Sequence, residues 1–202
     1  MHAALSLPMP KGRGFLRILM TRRSFSFSAF LAAAVMPLLS LTGCSTATVL
    51  GYLQDAVEAV TLAISAVSGV LNLGPIMVLI LNYLEQASTA ISTAATILAN
   101  SALSAEQKAI QIIAAFVGAV APDLTGVPAM VANAIAAVVA AIGKFLAGFH
   151  IAAGASLRGS AMPAKTRAIL TTLTNADREL LVSIQAKSAV NLIAVTKLRG
   201  SL

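Results

Sequence analysis

Tryptophan is absent from this 202-residue chain, cysteine occurs once, histidine twice, and only 10% of residues are charged. Each shortage removes a class of function. A lone cysteine, Cys44, has no internal partner for a disulfide. Of the two histidines, His150 is the only one beyond Cys44, and no second histidine, cysteine or carboxylate lies near it at metal-ligand spacing. Aromatic residues make up 4% of the chain, too few for the stacking platforms of nucleic-acid binders. With 58% hydrophobic residues and so little charge, the chain is not of the disordered class.

The formal charge of +7 suggests a polyanion binder until it is mapped. Lys11, Arg13, Arg17, Arg22 and Arg23 all precede Cys44, and no acidic residue does. From residue 44 onward, nine basic residues face all seven acidic ones, which leaves +2. The basic signal therefore belongs to the leader, and nucleic acid is excluded as a partner.

That leader has the layout of an export signal: basic residues, an apolar run, then small residues. Arg22 and Arg23 supply the charge, Phe25 to Leu39 the apolar run, and Ser40 to Gly43 the small residues. A run of about 15 residues is short for a transmembrane helix, which needs about 20. Met20 lies just before Thr21-Arg22-Arg23 and would give a more compact start than Met1.

Leu41-Thr42-Gly43-Cys44 resembles the lipobox of bacterial lipoproteins. The resemblance implies cleavage of residues 1–43 and acylation of Cys44, with fatty chains such as palmitate holding residues 44–202 to an envelope membrane facing the periplasm. Ser45 is similar to the default residue of outer-membrane rather than inner-membrane lipoproteins. Thr21-Arg22-Arg23-Ser24-Phe25-Ser26 resembles a twin-arginine signal, although Ser26-Phe27 departs from the usual Leu and Lys. Both the ordinary secretory route and the twin-arginine route stay open. No family is recognised in the region beyond Cys44.

The periodicity beyond Cys44 predicts an all-α, alanine-rich bundle of four to five helices, roughly 47–71, 75–99, 105–121, 128–149 and 164–199. Leu50, Leu53, Val57, Val60, Ile64, Val67 and Leu71 recur at alternating spacings of three and four, a bundle seam. Ile80, Leu84, Ala87, Ile91, Ala94 and Leu98 continue it, with Glu85, Ser88, Thr89, Ser92, Thr93 and Thr96 opposite. Asn72-Leu73-Gly74-Pro75 separates these two helices. Ser104-Ala105-Glu106-Gln107 is a capping box. It opens a helix whose expected stripe is Ile110, Ile113, Phe116, Val117 and Val120. Val131, Ile135, Val138, Ile142, Phe145 and Phe149 form the fourth seam, beside a row of Ala132, Ala136 and Ala140. Residues 150–163 are expected to form a loop. Thr174-Asn175-Ala176-Asp177 offers a second N-cap inside the last helix.

Two charge-free windows, Ala59 to Leu84 and Leu124 to Gly143, raise the alternative of spanning helices. The first is interrupted at Asn72–Pro75, the second is rich in alanine, and neither has an aromatic belt.

Catalysis needs positioned titratable groups. Asp55 and Glu58 share a helix face but are expected to complement a helix start. His150 is expected at a helix end. Ser156 and Ser160 have no activating base nearby. No glycine-rich phosphate loop follows a strand, and an acylated Cys44 is no nucleophile.

The reading is a non-enzymatic, lipid-anchored structural or interaction module. It has no expected cofactor, metal or small-molecule substrate. Its expected partners are the membrane, through Cys44, and either a second copy of itself or another helical protein. The competing readings are a membrane-active or channel-forming helical protein and, more distantly, an enzyme.

Overall fold

A computed structural model describes residues 45–68, 74–157 and 161–202, with the side chains of residue 67 and residues 150–157 left aside. The lipobox residues Leu41, Thr42, Gly43 and Cys44, and the export-signal residues Arg22, Arg23 and Phe25, lie outside the described residues. The protein is an all-α bundle. Its helices are α1 (Thr46–Ser68), α2 (Gly74–Ala99), α3 (Ala105–Ala115), α4 (Ala129–Leu157), α5 (Ala164–Thr171) and α6 (Asn175–Gly200), with a short 3₁₀ turn at Val117–Ala119.

Three of the seams pack as their spacing predicts. Leu50, Leu53, Val57, Val60 and Ile64 of α1 are buried, as are Ile80 to Leu98 of the α2 seam and Val131 to Phe149 of the α4 seam. Of the expected seam, the side chain of Val67 and all of Leu71 lie outside what is described. Helix α2 opens with Gly74 at φ 44, a left-handed conformation that favours glycine, and Pro75 follows it. The capping box at Ser104 is present, with Gln107 N–H donating to Ser104 Oγ at 3.2 Å and Ser104 N–H donating to Gln107 Oε1 at 2.9 Å.

Four expectations need correction. The buried face of α3 is Ala105, Lys108, Ala109, Ile112 and Phe116, while Ile110 and Val117 are exposed. The face is rotated because Lys108 turns inward, for reasons given below. The region after Phe149 remains helical to Leu157, across Gly154; one glycine costs only about 1 kcal/mol in a helix, too little to stop it. The segment given as one helix from 164 to 199 is two, broken at Thr172–Thr174, where the second N-cap offered by the sequence, Thr174, opens α6. The row Ala136 and Ala140 points to solvent instead of receiving a neighbouring helix.

Cross-bundle hydrogen bonds fix the topology. Ser45 meets Asp177 and Asp55 meets Lys187, so α1 and α6 run parallel and begin at the same end. Arg199 reaches Glu85, Asn191 reaches Ser88, and Gln185 reaches Thr96, so α2 runs antiparallel to α6. Helix α6 packs most extensively on α2 and next on α1, while α4 packs on α3 and α1. Phe116, Phe145 and Phe149 form an edge-to-face row between α3 and α4, with ring centroids 5.7 and 4.9 Å apart.

Candidate functional site

The end of the bundle that carries Ser45 gathers the most elaborate polar chemistry. Ser45 precedes the first turn of α1, and its hydroxyl accepts the Thr48 N–H at 3.2 Å, the ordinary work of an N-cap. The same hydroxyl donates to Asp177 Oδ1 at 2.6 Å. Asp177 is the third residue of α6 and is itself buried. Its Oδ2 accepts from the Thr174 N–H at 3.0 Å and the Thr174 hydroxyl at 2.7 Å, closing a capping box. Two helix N-termini are thus joined through one carboxylate. The Ser45 hydrogen bond above all, with help from Thr174 and against the opposing effect of burial, holds the Asp177 carboxyl below its ordinary range.

Lys108 lies at the same end. Only 3% of its surface is exposed, and its ammonium donates to the carbonyls of Leu98 at 2.9 Å and Leu170 at 3.1 Å. Both carbonyls belong to the last turns of helices, α2 and α5, where free acceptors and partial negative charge accumulate. Lys108 therefore ties three helices together, which explains the rotated face of α3. Burial pushes its pKa down from the usual value.

Beside this end lies an open apolar cleft of about 250 Å³, formed by Thr46 and Val49 of α1, Phe145 and Phe149 of α4, and Ile169 and Leu170 of α5. Further along, a polar groove of about 450 Å³ runs between α2 and the 3₁₀ turn, lined by Asn82, Glu85, Gln86, Thr89 and Thr93. Glu85 on its wall is bound by Arg199 at 2.7 Å.

The centre of the α1–α2–α6 side holds two buried polar pairs. Ser188 Oγ donates to Gln54 Oε1 at 2.7 Å, and Asn191 Nδ2 donates to Ser88 Oγ at 2.8 Å. Ser88 was expected on a polar face; it is buried because Asn191 answers it.

Asp55 and Glu58 do not complement a helix start. Asp55 lies beyond the first turn of α1 and pairs with Lys187 Nζ at 2.7 Å. The hydrogen bond that Lys187 donates to Asp55, more than the nearby carboxylate charges, raises the Lys187 pKa. His150 sits within α4 rather than at its end, and nothing is described of its side chain. Among the described residues no group of three histidines, cysteines or carboxylates could hold a metal.

The sequence reading missed Lys108, Gln54, Ser188, Asn191 and the Ser45–Asp177 contact. A local signal existed only for Lys108: it shares a face with Ala105, Ala109 and Ile112.

No family model, no curated protein and no solved structure matches this chain.

Proposed function

We propose that this chain is a lipid-anchored bacterial envelope protein whose helical bundle serves as an interaction module. The observation that carries the reading is Leu41-Thr42-Gly43-Cys44, placed after Arg22, Arg23 and the apolar run, with Ser45 immediately beyond it. The Ser45–Asp177 contact gives the reading mechanical sense. An acyl-bearing residue bonded directly to Ser45 has no flexible tether, so the membrane holds the α1–α6 end of the bundle itself. Several acyl chains hold firmly where one is marginal, at about 0.8 kcal/mol per buried methylene. The outer membrane, facing the periplasm, is the preferred site, on the resemblance of Ser45 to the default sorting residue.

The second reading, a spanning or channel-forming protein, draws on three helices that are long and apolar enough to cross a membrane: α1 over Thr46–Ala66, α4 over Ala129–Phe149 and α6. Against it, the α1 window has 61% of its residues buried inside the bundle. The outer face of α6 carries Arg178, Glu179 and Lys197.

Replacing Cys44 with Ala separates the readings. The lipid anchor predicts a parent chain that carries fatty acyl groups on the Cys44 peptide by mass spectrometry. It also predicts a Cys44→Ala chain that leaves the membrane under carbonate extraction. A Cys44→Ala chain that stays embedded after extraction would overturn the anchored bundle in favour of spanning helices.

A further inference from the structure

We propose that a second copy of this chain docks on the outer face of α6, with the two α6 helices antiparallel. The proposal deepens the interaction-module reading and rests on it.

Helix α6 buries Leu181, Ile184, Ser188, Asn191 and Val195. Directly opposite lie Val182, Ala186, Ala189 and Ile193, at spacings of four, three and four. This is a second apolar seam on the same helix, and all of it is exposed. Val182, Ile193 and the adjacent Val190 are each 65% exposed, among the most exposed large hydrophobic side chains in the described part of the protein. A helix that only covers a core places polar residues opposite its buried stripe. Here the outward stripe has the alternating spacing of a helix–helix seam. Alanines at its centre allow close approach, and larger side chains flank them.

Charge decides both the occupant and its direction. Glu179 and Lys197 lie on the same flank of the stripe, near its two ends. Both are exposed, and neither makes an ion pair among the described residues. In an antiparallel pair related by a two-fold axis, equal flanks face each other. Val182 of one copy then meets Ile193 of the other, Ala186 meets Ala189, and Glu179 meets Lys197 at both ends. In a parallel, in-register pair opposite flanks would face each other, so Glu179 and Lys197, on one flank and at opposite ends of the helix, would stay unpaired. The surface is self-complementary, as a two-fold dimer requires. One helix face is small against the roughly 800 Å² per partner of a stable complex. Confinement of anchored copies to a membrane raises their effective concentration and favours a contact of this size.

Disulfide trapping tests the geometry. Full-length chains carrying Val182→Cys and Ile193→Cys, differently tagged and co-expressed, are expected to form the mixed 182–193 disulfide, while each variant alone forms none. In the antiparallel pair like positions are offset by roughly 15 Å or more along the axis, at 1.5 Å per residue, far beyond disulfide reach. Like–like disulfides, or no mixed disulfide, overturn the proposal, as does a different protein trapped on this face. Acylation of the Cys44 peptide is read in the same membranes, so that the mixed disulfide reports the dimer and the acyl mass reports the anchor. Glu179→Lys is expected to cut the mixed disulfide at low salt by about tenfold, from attraction turned to repulsion at two exposed pairs. Adding Lys197→Glu to the same chain is expected to restore it. Failure of the double exchange to restore trapping counts against the antiparallel register. All four positions are exposed, so the variants fold.

Discussion

The two sides of this bundle are held by different means. Between α3 and α4 the contacts are aromatic and aliphatic: Phe116, Phe145 and Phe149 interlock edge to face, above Ile112, Ile135 and Ile142. Between α1, α2 and α6 the core is alanine, leucine, isoleucine and valine interrupted by Gln54, Ser88, Ser188 and Asn191. A core of small aliphatic residues buries area but accepts more than one register. Large rings fit in one arrangement through shape. The small-residue side obtains the same uniqueness from hydrogen bonds, since a slip by one turn would strand Ser88 and Asn191 without partners. Shape specifies one side, and polar pairing specifies the other.

The largest test of this contrast is Phe116→Ala, which removes a fully buried ring. A loss of about 3–5 kcal/mol is expected from chemical denaturation, a large part of the whole stability of an ordinary domain. A loss below 1 kcal/mol would show that the aromatic row does not specify its side.

Asn191→Ala comes next. It leaves the Ser88 hydroxyl buried without its donor, for an expected loss of about 1–3 kcal/mol. The sharper variant replaces both partners, Ser88→Ala with Asn191→Leu. Its stability should lie within about 1 kcal/mol of the parent, because no polar group is stranded. If the polar pair sets the register, amide exchange in α6 should quicken in this variant although global stability holds. Unchanged exchange would assign register to the aliphatic contacts alone.

The smallest effect is expected at Asp177, which joins the starts of α1 and α6 through Ser45. Its folded pKa lies below the ordinary 3.8. Its stabilisation is therefore complete above that value and is lost as pH falls through the lower folded one. Asp177→Asn should melt below the parent at about pH 6, and the gap should narrow as the pH falls below 3.8. A gap that persists in acid would mean that the hydrogen-bond geometry matters rather than the charge.

The same contrast explains what could be read in advance. The seams of α1, α2 and α4 are legible because each buries a continuous row of apolar residues at bundle spacing. The caps at Ser104 and Thr174 are legible because their partners sit three residues away. Helix α3 was misread because the residue that sets its orientation is a lysine, which an apolar count places outside. Lys108 is inside because two helix ends converge on it, a fact of tertiary structure. The pairs Gln54–Ser188 and Ser88–Asn191 join positions more than a hundred residues apart, and nothing local marks them. Of the candidate site, the lipobox is purely a sequence feature, while the Ser45–Asp177 contact beside it is purely a structural one.

That α1 and α6 start at one end has a consequence for posture. If α6 pairs antiparallel and Cys44 carries the proposed anchor on the periplasmic side, the two Ser45 residues stand at opposite ends of the assembly. They are roughly 30 Å apart along the helices, at 1.5 Å per residue. Two anchors so separated reach one leaflet only when the helices lie along the bilayer. The pair would rest on two feet, with the α1 side down, and would offer the periplasm its α2 flank and the polar groove there. A lone copy, held at one corner, is free to stand upright. Pairing would then change which face of the protein the periplasm meets.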